Sequence, residues 1–147
     1  MTDSHIAHAT ITIDAPPADV FDALINPKAI KAYMFGADAS SDWKEGSEIT
    51  WKGEFNGKPF EDQGKVLEIH PPHRLKYSHI SKGPGKPDQP ETKHTVSINL
   101  TDLTDERGQT QVAFSQDGNA TEQAQQEAQK NWEGMLAGLK KYVESNR

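Results

Sequence analysis

Residues 120–146 read ATEQAQQEAQKNWEGMLAGLKKYVESN. Proline is absent, and the strong helix formers Ala, Gln, Glu, Leu and Lys predominate. Ala124, Ala128, Trp132, Met135, Leu139 and Tyr142 recur at helical spacing, and Leu136 and Val143 widen the stripe. That is a long amphipathic helix with one apolar face to bury. Its first turns are small and polar, and its last turns carry the bulk.

The cover for that face lies upstream, from about 42 to 117. Ile49, Trp51, Gly53 and Phe55 alternate with Thr50, Lys52 and Glu54, the pattern of a half-buried strand. Asn56-Gly57 follows as a hairpin signal, because both residues tolerate positive φ. The next strand, about 60–69, stops at Pro71-Pro72. Leu75, Tyr77 and His79 share one face of another strand. His94, Val96, Ile98 and Leu100 share a face of the next, and Val112 and Phe114 of the last. Ser81–Glu91 is a Gly- and Pro-rich loop, either a plain surface loop or a lid over a cavity mouth. Asp105–Gln109 turns the chain.

At the other end, Ile6–Ile13 alternates as a strand. Pro16-Pro17 opens a short helix carrying Val20, Phe21, Leu24 and Ile25, with Asp19 favourable at its N-terminal dipole. Asn26-Pro27 breaks it. Pro27 starts a second helix with Ile30, Tyr33 and Met34 on one face, and Gly36 is its expected terminator. The order is one strand, two short helices, about six strands and one long helix. Strands joined by short turns pair antiparallel and leave one face to cover. The expected fold is α+β: a curved antiparallel sheet wrapped around a long C-terminal helix, with two short helices after strand 1. The space between sheet and helix is the expected site.

Composition bounds the rest. A chain of 147 residues makes one domain, taken as 1–147. Only 33% of residues are hydrophobic and mean hydropathy is -0.81, so insertion in a membrane is not expected. Lys+Arg 16 against Asp+Glu 22 gives -6, which argues against nucleic acid as a partner. With no cysteine there is no thiolate nucleophile and no Cys-ligated metal. The first residues, MTDSHIAHAT, lack a secretory signal, and a cytoplasmic location is the expectation.

Three segments carry a resemblance: Ile11–Leu24 followed by Asn26-Pro27, then Gly64–Leu75, then Asn131–Val143. Together they resemble the activator-of-heat-shock-protein-90-ATPase-like family, within the START and birch-pollen-allergen-like (SRPBCC) helix-grip superfamily. The resemblance implies the helix-grip fold. Superfamily relatives bind lipids, sterols, polyketides or hormones, so it implies a small hydrophobic ligand. It also implies, as an alternative, a co-chaperone-like role in stress response with a chaperone partner. The eukaryotic activators carry a further N-terminal domain, whereas here the first strand begins at once. The family often has tryptophan near the end of the second helix, where this chain has Tyr33 and Met34.

The candidate ligand-binding residues follow from strand and helix parity. Tyr33, Trp51, Phe55 and Tyr77 are expected to face inward, as are Phe114, Trp132, Met135 and Leu139. Each serves equally as core or as cavity wall. His79 and His94 share parity with apolar neighbours and flank the same loop. Paired in a hairpin, they become neighbours on the concave face. They read either as polar anchors in a pocket or as residues at a wetted sheet end. The remaining histidines read as exposed. Glu61 and Asp62 point to opposite sides of a strand and read as a solvated edge. Glu68 shares parity with Val66, while Leu67 and Ile69 compete for the same face, and a bulge decides between them. No phosphate loop, nucleophile elbow or His-Glu-x-x-His motif occurs. Neither a cofactor nor a metal is expected, and the chain reads as a binding protein before an enzyme. An enzyme using His79 or His94 ranks last.

Overall fold

The computed structural model describes residues 5–34, 36–55, 57–81, 92–103, 108–119 and 121–145. These form seven strands and three helices: β1 (Ala7–Ile13), α1 (Pro17–Ile25), α2 (Pro27–Tyr33), β2 (Asp38–Ser41), β3 (Glu48–Phe55), β4 (Lys58–His70), β5 (Arg74–Ser81), β6 (Thr92–Asp102), β7 (Thr110–Gln116) and α3 (Glu122–Ser145). The strands make one antiparallel sheet in the order β1-β7-β6-β5-β4-β3-β2. The curved sheet grips α3, as expected from the sequence. The Ser81–Glu91 loop, beyond Ser81, lies outside the described residues, as does much of the Asp105–Gln109 turn.

Local chemistry sets the boundaries. Asn26 ends α1 and caps α2, its Oδ1 accepting from the N–H of Lys28 at 2.9 Å and of Ala29 at 3.4 Å. Beyond α2, Gly36 takes φ 92 and donates its N–H to the Lys31 carbonyl at 2.8 Å. The Thr121 hydroxyl accepts from the Ala124 N–H at 3.0 Å and starts α3. Gly57, at φ 79, lies in the turn that sets Phe55 opposite Lys58.

A bulge resolves the parity of β4. Val66 faces Tyr77 and Glu68 faces Lys76, so Leu67 is the extra residue. Val66 is buried, Leu67 is 41% exposed, and Ile69 returns to pack against the core. Glu68 therefore sits on the outer face, and an inward carboxylate there is ruled out. Arg74 reaches it through Nε at 3.3 Å and Nη2 at 3.4 Å. Those hydrogen bonds hold its carboxyl below the usual carboxylate range, and the charges of Arg74, Lys76 and His70 add to them.

The core lies between the inner sheet face and the helices. Ile13, Leu24, Ile30, Leu75, Ile98 and Leu136 are among its fully buried side chains. On α3 the buried residues are Trp132, Leu136, Leu139 and Val143, while Met135 and Tyr142 are only partly buried. The stripe is thus turned slightly from the expected one. Gly138 packs against α2, where a Cβ would make an ordinary contact with the Tyr33 Cα at 3.4 Å.

Candidate ligand cavity

A half-open cavity of about 750 Å³ lies between the inner sheet face and the first half of α3. Trp51, Phe60, Tyr77 and Val96 form its apolar sheet wall. Ala124, Ala128, Trp132 and Met135 form its helix wall. The small residues early in α3 create the space, and the bulky ones later in α3 close it off.

Two polar systems reach this cavity. The first holds Trp132. Its indole stacks on Phe114 with centroids 4.0 Å apart, and its Nε1–H donates to Gln116 Oε1 at 3.0 Å. That bond fixes the amide orientation of Gln116, whose Nε2 donates to Asn119 Oδ1 at 3.4 Å. Asn119 Nδ2 then donates to the carbonyls of His5 at 2.8 Å and Gln116 at 3.0 Å. Gln116 and Asn119 are buried polar residues, and this chain of bonds is what makes their burial tolerable.

The second system is the imidazole pair. His79 and His94 are direct cross-strand partners, with ring centroids 6.3 Å apart and planes 24° apart. A carboxylate oxygen and a carbonyl oxygen accept hydrogen bonds and do not donate them. Hence His79 donates from Nε2 to Asp62 Oδ2 at 3.1 Å, and His94 donates from Nδ1 to the Asp117 carbonyl at 2.7 Å; Gln116 Nε2, itself a donor, stands farther from that nitrogen at 3.4 Å, and the shorter contact decides the tautomer. Asp117 is held in turn by the Thr95 N–H, which donates to its Oδ1 at 2.7 Å. Trp51 meets the His79 ring edge-on, with centroids 5.0 Å apart. Gly118 is required beside His94. It takes φ 78, and a Cβ there would collide with the Lys93 carbonyl and press on His94 Nδ1 at 3.2 Å.

Tyr77 adds a third group. It is 3% exposed, and among the described residues its hydroxyl has no hydrogen-bond partner. Burial pushes its ionisation well above the ordinary tyrosine range, and Tyr33 nearby adds to the rise. Tyr33 differs: its hydroxyl donates to the Leu24 carbonyl at 3.1 Å. Burial raises its ionisation too.

Of the residues singled out in the sequence, Trp51, Tyr77, His79, His94, Trp132 and Met135 line the cavity. Tyr33, Phe114 and Leu139 are buried in the core and do not line it. The Phe55 side chain lies outside the described residues. Asp62, read as a solvated edge, turns inward instead, with a side chain 16% exposed. Its parity with Phe60, Gly64 and Val66 was the available signal. Gln116 was likewise legible from Val112 and Phe114, and Asn119 had no periodic signal at all. Among the described residues, no group of three His, Cys, Asp or Glu side chains is placed to hold a metal ion. No helix among them is long and apolar enough to cross a membrane.

Comparison with known proteins agrees with this architecture. A protein from Cytophaga hutchinsonii is 47% identical, with a TM-score of 0.81, over 99% of this chain and 98% of that one. One from Mesorhizobium loti matches at 18% identity and a TM-score of 0.80, over 97% and 98% of the two chains. An HSP90 activator from Plasmodium falciparum matches at 18% identity and a TM-score of 0.58, over 77% and 72%. The last two likenesses speak to the fold alone. No curated protein matches the sequence. The family described as "Activator of Hsp90 ATPase homolog 1-like protein" matches residues 14–144, nearly the whole of the sheet-and-helix unit, and the chain belongs to that family.

Proposed function

We propose that this protein binds a small, mostly apolar molecule non-covalently between the sheet and α3. The observation that carries the reading is the cavity of about 750 Å³, walled by aromatic and aliphatic side chains with a few convergent polar groups. Size and lining both fit a small-molecule site. The reading is one of binding without turnover, in a cytoplasmic protein.

The test is titration with N-phenyl-1-naphthylamine, a neutral apolar probe, followed by amide NMR shifts. Saturable binding with shifts at Tyr77, Val96, Trp132 and Met135 is expected. Ala128→Trp, which fills the cavity from α3, should abolish binding while the folded spectrum persists. Shifts confined to the outer sheet face, or none, would overturn the proposal.

The family description favours a second reading, contact with a chaperone of that type. Stimulation of the cognate chaperone's ATPase would support it, and an unchanged rate would remove it.

A further inference from the structure

The imidazole pair is oriented, and the orientation says what the cavity asks of its ligand. His79 commits its Nε2 proton to Asp62, and His94 commits its Nδ1 proton to the Asp117 carbonyl. Each neutral ring then has one nitrogen left, His79 Nδ1 and His94 Nε2, and each is a lone pair. Among the described residues neither nitrogen has a hydrogen-bond partner. Both histidines line the cavity. Its polar corner therefore presents acceptors where a carbonyl-binding site would present donors.

Charge narrows the choice. Among the described residues, Glu54, Asp62 and Glu127 line the cavity, and no lysine or arginine does. An anionic head group would meet like charge. A cationic one would have to shed its water among Trp51, Tyr77 and Val96, at a cost of several kcal/mol unless fully paired. A neutral donor escapes both costs, and a hydroxyl is the compact neutral donor. Tyr77, two residues along the same strand face from His79, lines the same cavity.

We infer that the cavity selects an apolar molecule bearing a hydroxyl, an alcohol or phenol, whose O–H donates to His79 Nδ1 beside the second bare nitrogen, His94 Nε2. This rests on the binding reading above and gives that ligand its distinguishing group. Asp62 and Asp117 act as positioning residues, because they hold the two rings in the accepting tautomers.

Four probes of one ring system test it on the full chain at pH 8, where free imidazole is neutral: 2-naphthol, 2-methylnaphthalene, 2-naphthoate and 2-naphthylmethylammonium. The naphthol should bind tightest although it is less apolar than its methyl isostere. In His79→Phe its advantage over the isostere should shrink by about tenfold, the worth of one hydrogen bond. Long-range proton–nitrogen NMR on the unsubstituted protein reads the tautomers directly, and should show bare Nδ1 in His79 and bare Nε2 in His94. Equal binding of naphthol and isostere, tightest binding of either charged probe, an advantage that survives His79→Phe, or the opposite tautomers would each overturn the inference while leaving an apolar cavity standing. If none of the four binds, the binding reading falls with it.

Discussion

Tyr33 and Tyr77 bring the same hydroxyl into neighbouring parts of one core and use it differently. The Tyr33 hydroxyl closes a bond to the Leu24 carbonyl, whereas that of Tyr77 is buried with no hydrogen-bond partner among the described residues. The two Phe substitutions should therefore diverge. Tyr33→Phe leaves a buried carbonyl short of its donor and should cost about 1 kcal/mol. Tyr77→Phe removes an unpartnered donor and should leave stability unchanged, or raise it by up to about 1 kcal/mol. Urea denaturation of both variants reads the difference, and equal losses would contradict the assignment. At this scale the sequence was only half legible. Parity put His79 and His94 side by side on the concave face, which is where they are. It also ran through Asp62 and Gln116, but a charged or amide side chain on an inner face is credible only once its partner is visible. Those partners, His79 and Trp132, lie 17 and 16 residues away in the chain.

Among the elements, the strands and helices with strong periodicity were legible, and the irregular ones were not. Leu67 shows why. A single extra residue reverses the facing of everything after it, and alternation alone cannot say which residue is extra. The four-residue β2 was unreadable for a different reason: DASS contains one apolar side chain and no alternation to detect. The β3–β4–β5 region offers a sharp test of packing. Gly64 pairs with Ile49 on one side and His79 on the other, beneath the Trp51 ring. A Cβ there would run into the Ser78 carbonyl and come within 3.1 Å of Trp51 Cζ3. Backbone cannot yield as a flexible side chain does. Gly64→Ala should therefore destabilise by about 2 kcal/mol or more, although alanine suits a strand better than glycine. A thermal melt unchanged within error would show that β4 and β5 are more loosely coupled than their register suggests.

For the molecule as a whole, stability should fall off from the middle of the sheet outward. β5 and β6 are flanked on both sides, whereas β2 is a short edge strand with one neighbour. Native-state hydrogen exchange should find the β5–β6 amides opening only with global unfolding, and those of Asp38–Ser41 exchanging at least about 100-fold faster. Uniform protection would mean that the sheet opens as one unit. The other edge, β1, is guarded by α3. Lys140 reaches the Thr12 carbonyl at 2.8 Å and Glu144 accepts from the Asp14 N–H at 2.8 Å. Those contacts come from the second half of α3, which also supplies Leu136, Leu139 and Val143 to the core. The first half supplies Ala124, Glu127, Ala128 and Asn131 to the cavity wall. The two roles meet at Trp132, which is buried in the core and also lines the cavity, and at Met135 beyond it. The cavity wall from Ala124 to Asn131 can therefore be reshaped at little cost to the core that Leu136, Leu139 and Val143 hold together.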